Sequence, residues 1–158
     1  MKILTGDIKR FSMTSSMMKN LRPFHLALPT KDLKETQSFY TQVLTCSIGR
    51  QDKHWIDFNF YGHQVVFHEK KDMDLKTMTN SVDQKSVTVP HFGLILTRAD
   101  WDCLAEQLQE KKVHFIMKPT LRFEGSNGEQ ATLFFLDNNG YAIELKAFAD
   151  DAFIFKAF

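Results

Sequence analysis

Cysteine is scarce in this chain. Cys46 and Cys103 are the two cysteines among 158 residues, too few for the disulfide framework of a small secreted domain and without CxxC spacing. Free thiols fit a reducing compartment, so a cytoplasmic location is expected. An excess of one charge is missing too. Lys and Arg number 20 against 19 Asp and Glu, a net charge of +1, and no basic stripe with interleaved aromatics occurs, which argues against nucleic acid as a partner. No apolar run approaches the roughly 20 residues that a membrane span needs, so no membrane partner is expected. Residues 1–20 contain four methionines and several lysines but no continuous apolar segment. They do not read as a signal peptide and are expected to be a flexible extension.

What is present describes one globular domain. The sequence is 43% hydrophobic and 25% charged, ordinary for a packed core, and the domain is placed at 21–148, with an apolar tail at 149–158. Two halves follow one plan. In the first, residues 23–28 read as a strand stopped by Pro29, and Asp32 to Glu35 as a capping box. Leu33, Thr36, Phe39, Tyr40, Val43 and Leu44 give helical spacing over about 32–44. Alternating strands at 54–60 and 63–68 flank a Tyr61-Gly62 turn. In the second half, a strand at 90–96 precedes a helix capped within Thr97 to Asp100, with Trp101, Leu104, Ala105 and Leu108 as its buried stripe. A short strand at 113–117 and a hairpin of 131–136 and 141–148 around Asp137 to Gly140 complete it. The fold expected is α+β, two tandem βαβββ modules at about 22–68 and 90–148. Residues 69–89 are polar and nearly patternless, the length of a functional or disordered connection. Residues 121–130 are a second irregular stretch that would be able to cover a site.

Chemistry concentrates at equivalent places in the halves. His25 and His91 each sit on the first strand of a module, and Glu144 interrupts the apolar last strand. Two imidazoles and a carboxylate from three strands form a facial triad for a divalent metal, with open coordination positions. The plain alternatives are a hydrogen-bonded core histidine for His25 and a salt bridge to a lysine or arginine for Glu144. Arg122, with Glu124 nearby, would be able to grip a substrate carboxylate or enolate bidentately; an ion pair between these loop neighbours is the other reading. His63 is expected to face solvent. Fifteen phenylalanines mostly pack the core, leaving room for an aromatic-walled cavity. The tail at 153–158 is too apolar to hang in water, and its docking on the body or on a second subunit suggests a homodimer.

The paired modules, with phrases such as Phe24-His25-Leu26-Ala27, Trp55-Ile56-Asp57-Phe58, Gly62-His63-Gln64, Arg122-Phe123-Glu124-Gly125 and Glu144-Leu145-Lys146, resemble the vicinal oxygen chelate superfamily. Glyoxalase I, bleomycin- and fosfomycin-resistance proteins and extradiol dioxygenases belong to it, and the phrases are most similar to its small predicted extradiol dioxygenase-like branch. The resemblance covers roughly 22–148. It implies that the modules form a cupped mixed sheet around a metal site, with a divalent metal on His25, His91 and Glu144, Fe(II) favoured and Zn, Mn or Ni as alternatives. It implies a small-molecule substrate with vicinal oxygens, with O₂ as co-substrate in the dioxygenase case, and it places His68 where extradiol enzymes carry their acid–base histidine. Val66 occupies the position where glyoxalase I supplies a further ligand. The strand before Glu144 offers Leu133, Phe134 and Phe135 where ring-opening dioxygenases present a tyrosine. Beside the dioxygenase reading stand a glyoxalase-like lyase or isomerase using another metal, and a non-catalytic protein that sequesters a drug or metabolite.

Overall fold

The structure is a computed structural model and describes residues 21–75, 78–82 and 85–156; the expected extension at 1–20 lies outside them. In the first module, strand β1 (His25–Thr30) leads into helix α1 (Leu33–Ser38), which widens into a π-type turn over Phe39–Val43. Strands β2 (Ser47–Asp52), β3 (Trp55–Phe60) and β4 (His63–Glu69) follow. A hairpin of β5 (Met78–Val82) and β6 (Lys85–Val89) connects to the second module, made of β7 (His91–Ile95), α2 (Arg98–Glu110), β8 (Phe115–Arg122), β9 (Gln130–Leu136) and β10 (Ala142–Phe148). Each module builds a four-stranded sheet, ordered β1-β4-β3-β2 and β7-β10-β9-β8. In both sheets the first strand runs parallel to the last, and the remaining pairs are antiparallel. The expected α+β fold of tandem βαβββ modules is what forms.

Strand alternation sorts each sheet into two faces. Leu26, Phe58, Val65 and Phe67 from the first module pack into one apolar cluster with Phe92, Leu133, Phe135, Ile143 and Leu145 from the second. Tyr40 stacks on Phe58 at 5.0 Å between ring centroids, and Phe60 meets Phe92 edge-on at 5.9 Å. Polar pins cross the same boundary. The Tyr40 hydroxyl donates to Asp137 at 3.1 Å, and that of Tyr141 to the Pro29 carbonyl at 3.0 Å. Burial pushes the Tyr141 phenol up to about 12 and the Cys46 thiol up to about 12. The odd positions of β1 and β7, including His25 and His91, stand on the faces turned away from this core.

Local differences have physical causes. The 69–89 connection, expected to be patternless, holds the β5–β6 hairpin, whose register sets Met78 against Val89 and Val82 against Lys85. Strand β2 was not separately assigned from sequence, because Ser47–Asp52 is mostly exposed and bears no alternation. The short strand at 113–117 extends to Arg122, bulging twice against β9. Asp32 caps α1 by accepting from the backbone of Lys34 at 2.7 Å and Glu35 at 3.1 Å, but the return arm of a capping box is replaced: Thr30 Oγ1 accepts from the Asp32 N–H at 3.2 Å. His63 is half-buried rather than solvent-facing, its Nδ1 accepting from the Phe24 N–H at 3.1 Å. In the tail, Asp151–Phe153 form a 3₁₀ turn. Phe153 and Ile154 are half-buried, whereas Phe155 is 99% exposed, so among the described tail residues only part of the expected docking is seen; residues 157–158 lie outside them.

Candidate metal centre

The second sheet presents the richer arrangement. On the face away from the core, β7 offers His91, Gly93 and Ile95; β10 offers Ala142, Glu144 and Lys146; β9 offers Thr132 and Phe134. The register sets Glu144 between Gly93 on one side and Phe134 on the other. Gly93 is required there, because an added Cβ would collide with the Glu144 backbone carbonyl. Glu144 is 7% exposed. Its Oε1 accepts from the Thr132 hydroxyl at 3.1 Å, while Oε2 lies 2.8 Å from the Lys146 ammonium and 3.4 Å from His91 Nε2. His91 Nδ1 is 2.6 Å from the Thr88 carbonyl oxygen. A carbonyl can only accept, so Nδ1 carries the hydrogen, and a neutral His91 turns the lone pair of Nε2 towards the carboxylate. With a neutral ring, Nε2 and Oε2 are two acceptors 3.4 Å apart, the kind of pair that a cation would draw together. The Phe134 ring closes it edge-on to His91, at 5.1 Å between centroids.

His25, on the outer face of the first sheet, is set in the same tautomer by a longer chain. Asp57, 3% exposed, takes a hydrogen bond from the Arg50 backbone N–H and lies 3.4 Å from Arg50 Nε. Gln64 Nε2 donates to Asp57 at 2.8 Å. That fixes the amide, since a carboxylate needs a donor, and it turns Gln64 Oε1 to His25 Nδ1, 2.8 Å away. Nδ1 donates to this oxygen, so Nε2 is the ring nitrogen that a ligand would meet. A cavity of about 360 Å³ beside this chain is lined by Pro23, Gly49, Arg50, Asp57, Asn59 and Gln64 among others.

The structure thus brings His91 and Glu144 together but not His25. Among the described residues, no three His, Cys, Asp or Glu side chains are grouped to hold a metal. His68 is exposed and shares the outer face with His25 and Val66, but it pairs with Pro29, four residues along β1 from His25, about 13 Å at strand rise. Val66 is buried at the repeat position of Glu144, and its cross-strand partner is Asp57. Arg122 is buried at the end of β8, its guanidinium 4.9 Å from the Phe123 ring centroid, whereas Glu124 is exposed in the following turn. Lys146, Thr132, Gln64 and Asp57 were not singled out from sequence. The signal for Lys146 was available, since period two in Glu144-Leu145-Lys146 puts its ammonium on the Glu144 side. The signal for Gln64 and Asp57 was not, because their pairing depends on the β3–β4 register.

The Glyoxalase/Bleomycin resistance protein/Dioxygenase superfamily profile matches residues 22–145. The chain belongs to that superfamily. A glyoxalase/bleomycin resistance protein/dioxygenase from Alicyclobacillus acidocaldarius is 28% identical, with a TM-score of 0.74 over 87% of this chain and 100% of that one. The fosfomycin resistance protein FosX from Listeria monocytogenes shares the fold at 19% identity, with a TM-score of 0.59 over 78% of this chain and 89% of its own. So does a glyoxalase/dioxygenase from Nostoc punctiforme, at 14% identity and a TM-score of 0.61 over 87% and 97% of the two chains. No curated protein matches. The superfamily includes many enzymes, and its members commonly bind a divalent metal. No described helix is long and apolar enough to cross a membrane.

Proposed function

We propose that the protein is a metal-dependent enzyme acting on a small molecule with vicinal oxygens, of extradiol dioxygenase type. The observation carrying this reading is the donor chemistry: both histidines commit Nδ1 to an acceptor, and His91 Nε2 lies 3.4 Å from a carboxylate oxygen of Glu144. In the proposed site His91 and Glu144 supply two ligands and His25 the third, donated by a second copy of the chain. Both β1 and β7 are edge strands, and Phe24, next to His25, and Ile95, at the far end of β7 from His91, are exposed, so the homodimer would cover apolar edges as it completes the triad.

A divalent metal bound there, Fe(II) in the preferred reading, would supply Lewis acidity that lowers the pKa of coordinated hydroxyls and would hold the reactants close. The chain's own residues do the rest. Thr132 orients the carboxylate, Phe134 keeps water from one side, Arg122 would hold a carboxylate or enolate, and His68 would move a proton if the bound substrate reaches it. Phe134, directly across from Glu144 where a ring-opening enzyme presents a phenol, favours a second reading, a glyoxalase-like lyase or isomerase that needs no O₂. Metal analysis of protein purified without oxygen, followed by a catechol panel with and without O₂, separates them. The dioxygenase reading expects iron and O₂-dependent ring-opened product. Turnover of no catechol by iron-loaded protein contradicts it.

A further inference from the structure

Lys146 places a permanent cation on the atom that a metal would take. Its Nζ is 2.8 Å from Glu144 Oε2, the same oxygen that faces His91 Nε2 at 3.4 Å. The arrangement follows from strand geometry: residues 144 and 146 share a face, and the lysine stem folds back along β10 to reach its neighbour. Glu144 is nearly enclosed, whereas the Lys146 side chain is 26% exposed. The carboxylate therefore cannot turn to water for solvation, while the ammonium can leave for solvent. Removing charge compensation from an enclosed carboxylate is costly, and a single oxygen cannot serve an ammonium and a divalent ion at full contact without strong cation–cation repulsion.

We propose, on the basis of the metal site argued above, that Lys146 is an internal counter-ion competing with the metal for Glu144, so that it keeps the empty site stable and weakens its grip on the ion. Metal entry swings the ammonium off Oε2 towards solvent; no proton is transferred and no covalent bond changes. The first module shows the contrast. Aligned on Gly62 and Gly140, both in the left-handed region, Val66 matches Glu144 and His68 matches Lys146. At these two matched positions the first module has neither the carboxylate nor the lysine.

The test uses full-length, chelator-treated protein at one fixed pH, with Zn²⁺ as the probe, titrated against a chromophoric competitor. Lys146→Met and Lys146→Gln should bind Zn²⁺ on the order of tenfold tighter than wild type, because the competing charge is gone, and Lys146→Arg should stay near wild type. Without metal, Lys146→Met should melt lower than wild type, and its melting temperature should rise further on Zn²⁺ addition. The Gln variant keeps a neutral donor to Glu144 and guards against simple misfolding of the Met variant. Equal or weaker Zn²⁺ binding by both neutral variants overturns the competition while leaving the metal site standing. Wild-type affinity in Glu144→Gln removes the site and the competition together.

Discussion

Asp137 shows how much one side chain can be asked to do. Its carboxylate organises the β9–β10 turn by accepting from the backbone of Asn139 and Tyr141, each at 2.8 Å, and reaches across the module boundary to the Tyr40 hydroxyl. Burial raises its pKa above the ordinary 3.8, outweighing the hydrogen bonds from Tyr141 and Asn139 that lower it. The native state therefore holds this proton more tightly than the unfolded chain. The associated stability is complete below about pH 3.8, the unfolded value, and is lost as pH rises through the higher native value. Urea midpoints for wild type and Asp137→Asn, compared from pH 4 to pH 7, should show the wild type losing ground to the variant as pH rises. A pH-independent difference would remove the burial argument. None of this was legible from Asp137-Asn138-Asn139-Gly140, which announced a turn but not the phenol it would meet.

Among the strands, β7 and β10 carry the account. Their parallel pairing brings His91 and Glu144 together, and it depends on Gly93 lying against the Glu144 backbone. Gly93→Ala should push the strands apart and cost about 1–3 kcal/mol, the usual range for overpacking, read as a lower urea midpoint. The same substitution should weaken metal binding, since His91 rides on the displaced strand. Unchanged stability would mean that the strands can separate freely. The elements with an apolar face were readable in advance: β1, β3, β4, α2, β9 and β10 follow the alternation or helical spacing that burial imposes. Strand β2 was not, because a mostly exposed strand paired through its backbone leaves no periodic trace. His25 and His91 were visible at equivalent positions of the two halves, and Glu144 as a carboxylate interrupting an apolar strand. The Thr88 carbonyl and the Gln64–Asp57 chain that set the tautomers emerge only from register. Lys146 was visible as a residue and unread as a competitor.

Taken whole, the chain packs the inner faces of both sheets into one core and leaves its two histidine-bearing edges outside it. That geometry is why His25 stays apart from His91 and Glu144 in a single chain, and why the proposed triad needs two copies. The exposed Phe155 adds an apolar contact that a partner would cover. Subunit mixing with equilibrium dialysis against a divalent metal addresses the triad most directly. Wild type should take up one ion per chain, and His25→Ala alone, like His91→Ala combined with Glu144→Ala, should bind metal far more weakly. After the two proteins are unfolded and refolded together, part of the binding should return, because each mixed dimer pairs an intact His25 with an intact His91 and Glu144. Stoichiometric metal in the His91→Ala, Glu144→Ala protein, or no recovery on mixing, would contradict a triad shared between copies.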